Sequence, residues 1–160
     1  MELLLFYALL TIAVSFLCSI LEAVLLSINP TYISLKLGEG EAYAKTLDSL
    51  KKNIDEPLII ILTLNTIAHT VGAILVGVQA KVVYSSVGSG EVYYLLGVPF
   101  SEEGMVGVVS AIMTLLILLL SEIIPKTLGV TYWKKLAKIT ALFLRSIIPV
   151  FKYSGVLWFL

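Results

Sequence analysis

Three stretches of this 160-residue chain run for twenty residues or more with at most one charged residue each. They are Leu3–Ile28, which holds Glu22; Leu58–Ala80, which holds none; and Met105–Ile124, which holds Glu122. The hydrocarbon core of a bilayer is about 30 Å thick and takes about 20 apolar residues as helix. Backbone amides in lipid have no water to bond, so they must bond one another within the helix. Each stretch therefore reads as a membrane span. Composition agrees: 59% of residues are hydrophobic, 14% are charged and mean hydropathy is +1.01. Soluble domains run near a quarter charged.

The zero formal net charge gives no reason to expect nucleic acid as a partner. The single cysteine, Cys18, excludes an internal disulfide and a cysteine-based metal cluster. At the N-terminus Glu2 follows Met1, and the apolar run is too long for a cleaved leader, so it reads as a retained span. The length suits one membrane domain over residues 1–160.

A fourth apolar segment, Leu136–Leu160, differs in kind. Its Lys138, Arg145 and Lys152 stand seven residues apart, on one helical face. A basic stripe on an apolar helix suits a helix lying at the membrane interface, and Pro149 should kink it. A fourth span with snorkelling ends is the alternative. The expected fold is all-α, three transmembrane helices plus an amphipathic juxtamembrane belt helix.

The connections carry their own signals. Asn29-Pro30 closes the first span, and Tyr43, Leu47, Leu50 and Ile54 predict a short amphipathic helix between Glu39 and Asn53. Asp55-Glu56-Pro57 reads as a helix start. Residues Tyr84–Gly104 read as a loop whose Tyr84, Tyr93, Tyr94 and Phe100 fit an interfacial aromatic belt. Lys36, Lys45, Lys51 and Lys52 fill the first connection, whereas the second has only Lys81 at its edge. The chain from Lys126 onward is again basic. Positive charge stays on the cytoplasmic side, so the N-terminus is expected outside and the C-terminus in the cytoplasm of a multi-pass inner-membrane protein.

Polar groups inside spans are costly and mark function more often than elsewhere. Thr11, Ser15, Ser19 and Glu22 fall within one quadrant of the first span, making a polar seam. Asn65, His69 and Gly72 share a face of the second. Asn65 is either interhelical glue or an oxygen ligand. A lone histidine is more often hydrogen-bonded structure than a ligand, and Gly72 suits close packing. The third span ends in Ser121-Glu122-Ile123-Ile124-Pro125-Lys126. Pro125 has no N–H for the Ser121 carbonyl, so the helix is expected to break there and free carbonyls beside Glu122. Lys126, at i+4, either pairs with Glu122 as plain structure or neutralises a ligand carboxylate. These oxygens suit a hard cation such as Mg²⁺, Ca²⁺ or Na⁺. No catalytic group is assigned, and the chain reads as no enzyme.

Three elements together resemble a family: Ser19-Ile20-Leu21-Glu22-Ala23, Leu64-Asn65, and Ser121-Glu122-Ile123-Ile124-Pro125-Lys126-Thr127-Leu128-Gly129. The chain is similar over essentially its whole length to the membrane domain of the CNNM/CorC family, which is associated with magnesium transport. The resemblance implies Mg²⁺ as the ion moved or bound, with Na⁺ as a possible coupling ion. It implies as ligands Ser15 or Ser19, Asn65, Glu122 and a carbonyl near Gly129; Glu22, His69, Ser121 and Lys126, read from the spans themselves, are secondary candidates. It also implies a homodimer. Longer members carry a cytoplasmic CBS-type regulatory pair, expected to be absent here. Two positions depart from the family pattern: Leu21 stands where a second serine is common, and His69 where a second asparagine is common.

Overall fold

The computed structural model describes residues 2–87, 93–95, 98–100 and 118–153, with short pieces at 104, 107–108, 111–112 and 115–116. Seven residues of Met105–Ile124 and the stretch 154–160 therefore lie outside the described residues, as do the side chains of Tyr84, Tyr93, Tyr94 and Phe100.

Among the described residues five helices carry the fold: α1 (Glu2–Ser27), α2 (Pro30–Gly38), α3 (Ala42–Lys52), α4 (Asp55–Val87) and α5 (Ile124–Tyr153). Two of them contain segments long and apolar enough to cross a membrane, Leu5–Ser27 in α1 and Asp55–Gln79 in α4. The reason for each boundary is local. Pro30 holds the first turn of α2, where its missing N–H costs nothing, and the Asn29 side chain caps that helix by accepting from Tyr32 N at 2.8 Å. Gly40 takes φ 78°, a left-handed turn open to glycine, and sends the chain back into α3. Ala44, Leu47 and Leu50 form the buried face of α3, as the amphipathic pattern predicts. Burial and the Tyr32 hydroxyl beside it push the Tyr43 phenol up, so it stays protonated.

Two expectations change. The segment read as a loop from Tyr84 begins as the last turn of α4, which continues to Val87. Beyond it, β1 (Tyr93–Leu95) pairs antiparallel with β2 (Val98–Phe100), a ribbon that the all-α expectation did not include. Nor does the helix break at Pro125. Leu119–Ile123 form one π turn, closed by Ile124 N–H on the Leu119 carbonyl, and α5 continues through Pro125. A π turn bonds i to i+5, so it takes up the register error that proline's missing donor creates. The backbone departs from helix at Tyr132 instead, with φ −107° and ψ 17°. Pro149 leaves α5 helical because the bond it forfeits falls in the last turns before Tyr153.

α1 is the hub, packing against α4, the π turn and α5. One of its faces joins Cys18, Leu21 and Leu25 to Leu50, Ile61 and Leu144. The other joins Val24 and Ile28 to Ile33, Leu47, Ala137 and Ala141. Helix faces gain little in lipid from apolar area alone, and close approach of small residues does more. Two contacts supply it. A Cβ built on Gly72 would fall 2.2 Å from the Thr11 side chain, and one on Gly129 would fall 2.7 Å from Ala23 Cβ.

Candidate functional site

The polar seam of α1 faces inward as its spacing predicts. Ser15 and Ser19 are fully buried, Thr11 is 7% exposed, and Glu22 is partly buried. Around this seam the other elements deliver two clusters.

The first cluster is neutral. Ser15 Oγ donates to Asn65 Oδ1 at 2.7 Å and also touches His69 Nε2 at 2.5 Å. A hydroxyl has one hydrogen, and this one goes to Asn65. The histidine contact then has Nε2–H donating to Ser15 Oγ. Ser121 Oγ, buried in the π turn, lies 3.5 Å from the same nitrogen. Asn65 and His69 reach α1 because they stand one turn apart on the α4 face that Gly72 presses against Thr11. In this arrangement His69 is a hydrogen-bond donor that holds α1, α4 and the π turn together.

The second cluster is charged. Lys126 Nζ lies 3.1 Å from Glu122 Oε1 and 3.4 Å from Glu22 Oε2. The Glu122 contact is an i,i+4 pair that the sequence shows directly. The Glu22 contact joins α1 to α5 and has no sequence signal. It exists because Gly129 lets α5 approach to where a Cβ would sit 3.1 Å from the Ile20 carbonyl. Two carboxylates and one ammonium leave one net negative charge at this end of the seam.

Ser19 lies between the two clusters, four residues after Ser15 and three before Glu22. Among the described residues its hydroxyl has no hydrogen-bond partner, and neither has Glu22 Oε2, whose approach to Lys126 is an ion pair. A serine in a helix ordinarily bonds back to its own turn, as Ser27 does to the Ala23 carbonyl at 2.7 Å. Leaving a buried hydroxyl unmade costs about 1–3 kcal/mol. Among the described residues no three His, Cys, Asp or Glu side chains form a metal group. A cation held here would therefore draw on serine, asparagine and carbonyl oxygens beside the carboxylates.

The predicted site residues thus fall into place unevenly. Ser15, Asn65, His69 and Ser121 come together, and Glu22, Glu122 and Lys126 come together. Gly129 stands apart as the close contact between α5 and α1. Leu21 is 3% exposed in the apolar core, so this departure from the family pattern faces away from the seam.

The chain is 29% identical over 134 residues to the UPF0053 protein sll1254 of Synechocystis sp. (strain ATCC 27184 / PCC 6803 / Kazusa), an alignment that covers 84% of the chain. It spans about a third of that curated relative's length, 34%. Residues 6–160 match the family described as the cyclin M transmembrane N-terminal domain, and by the extent of that match the chain belongs to this family of membrane domains.

Proposed function

We propose that this domain carries Mg²⁺ across the membrane through the oxygen-lined space along the α1 seam. The observation that carries this reading is the buried Ser19 hydroxyl, without a hydrogen-bond partner among the described residues and held between Ser15–Asn65 on one side and Glu22–Glu122 on the other. Mg²⁺ takes six oxygens at about 2.1 Å and tends to keep several waters. Ser15, Ser19, Asn65 and Glu122, with a carbonyl near Gly129, would hold it, and Glu22 would add charge. Lys126 would move off its carboxylates as the cation arrives.

The same reading takes Met105–Ile124 as a third span and α5 as an interfacial belt helix, over one domain of residues 1–160. It takes the N-terminus as outside, the C-terminus as cytoplasmic and the working unit as a homodimer. Coupling to Na⁺ or H⁺ would let such a carrier work uphill.

One observation favours a second reading. Lys126 already neutralises Glu122, as in an ion-binding scaffold that moves nothing. Mg²⁺ flux into liposomes, measured for wild type and Glu122→Ala, tests the proposal. Loss of flux to background in the variant supports it, and equal flux removes Glu122 from the mechanism. Mg²⁺-dependent thermal stabilisation without flux from wild type would favour the scaffold.

A further inference from the structure

Ten of the eleven Lys and Arg residues have described side chains, and eight of these have partners. Lys36, Lys52, Lys126 and Lys152 reach carboxylates. Lys134, Lys135 and Lys138 lie over aromatic rings, and Lys51 donates to the Leu26 carbonyl. Lys45 and Arg145 are left with no acid, ring or carbonyl among the described residues. Glu41, one turn before Lys45, forms no ion pair with it among those residues.

These two cations line the same pocket. It is a concave space of about 620 Å³ between α3 and α5, completed by Gly40, Ala42, Thr46 and Ser49. The left-handed turn at Gly40 shapes its rim. Arginine offers a planar fork of donors that fits two phosphate oxygens, and lysine offers a point charge. The hydroxyls of Thr46 and Ser49 add donors. A phosphate-bearing anion is the ligand chemistry such a lining fits.

The surroundings select its source. On α5, Arg145 has exposed apolar neighbours: Ile139, Leu142 and Val150 are each at least half exposed. These would stand against acyl chains. Basic pockets at the cytoplasmic ends of membrane helices hold anionic headgroups in this way. We infer that Lys45 and Arg145 bind the headgroup phosphate of an anionic lipid in the pocket between α3 and α5.

Native mass spectrometry of the full chain in detergent tests this, with phosphatidylglycerol and phosphatidylcholine of matched acyl chains as probes. At about 1 kcal/mol per basic residue, Lys45→Ala/Arg145→Ala should weaken phosphatidylglycerol binding about thirtyfold and leave phosphatidylcholine unchanged. Lys134→Ala/Lys135→Ala, which removes equal charge elsewhere on α5, should change it little. Lys45→Gln/Arg145→Gln keeps the side-chain stems and should behave like the alanine pair, which separates lost charge from lost fold. Equal phosphatidylglycerol binding in wild type and both Lys45/Arg145 variants would overturn the inference. So would an equal loss in the Lys134/Lys135 control. Displacement of the lipid by millimolar inorganic phosphate would overturn the lipid source and leave a free anion as the ligand.

Discussion

Around Ser15 the seam of α1 is neutral and hydrogen-bonded, whereas around Glu22 it is charged and ion-paired. Seven residues separate the two, about 10 Å along the helix. The neutral end is built between α1, α4 and the π turn, with short directional contacts. The charged end is built between α1 and α5, with looser contacts through one flexible lysine. Hydrogen bonds to neutral groups fix geometry and add little charge. An ion pair supplies charge whose position can shift. A cation passing along the seam would meet both kinds of donor, one that orients it and one that attracts it.

The largest expected effect tests whether charge or geometry dominates. Glu122→Ala should abolish Mg²⁺ flux, while Asn65→Ala should lower it and leave some. Liposome flux with both variants reads this directly, and the reverse order would invert the comparison. Next is the contact that brings the charged end together. Gly129→Ala places a methyl 2.7 Å from Ala23 Cβ. Overpacking of this kind costs about 1–3 kcal/mol, so the melting temperature should fall and α5 should separate from α1. If stability is unchanged, the approach of the two helices is not limited at Gly129.

Smaller effects sharpen the contrast. Lys126→Met leaves Glu22 and Glu122 facing each other without a cation. Because Lys126 is 37% exposed, the loss should be on the order of 1–2 kcal/mol, well below that of a fully buried pair. Added Mg²⁺ should restore more stability to this variant than to wild type. A melting curve indifferent to Mg²⁺ would argue that the carboxylates do not face a shared ion. Ser15→Ala removes the hydroxyl between Asn65 and His69 and should cost about 1 kcal/mol, with no gain in Mg²⁺ response.

Much of the neutral end was legible in the sequence, because helical spacing alone puts Ser15 on the seam and Asn65, His69 and Gly72 on one face. The packing role of Gly72 followed from the same spacing. The charged end was legible only in part. Glu122–Lys126 is a local i,i+4 pair, but Glu22–Lys126 depends on how α5 crosses α1, and no local pattern encodes that. Pro125 shows a different limit. Its missing donor is certain from sequence, yet the chain can answer by breaking or by widening a turn, and here it widens, with Ser121 buried in the π turn. Leu21, which departs from the family pattern, packs in the core, a placement that depends on which face of α1 it occupies.

The widened turn at Leu119–Ile123 is also a statement about chain length. A π turn holds one residue more than an α turn, so in hereditary terms it behaves as an insertion that the helix never expelled. Deleting one residue before Ser121 would let ordinary α spacing return while the helix on either side keeps its face, because the wider turn had already absorbed the extra residue. What would change is the turn itself, where Ser121 and Glu122 would stand at α rather than π spacing. A single-codon deletion there is therefore the reversal of that insertion, and no substitution at any one position can produce the same change.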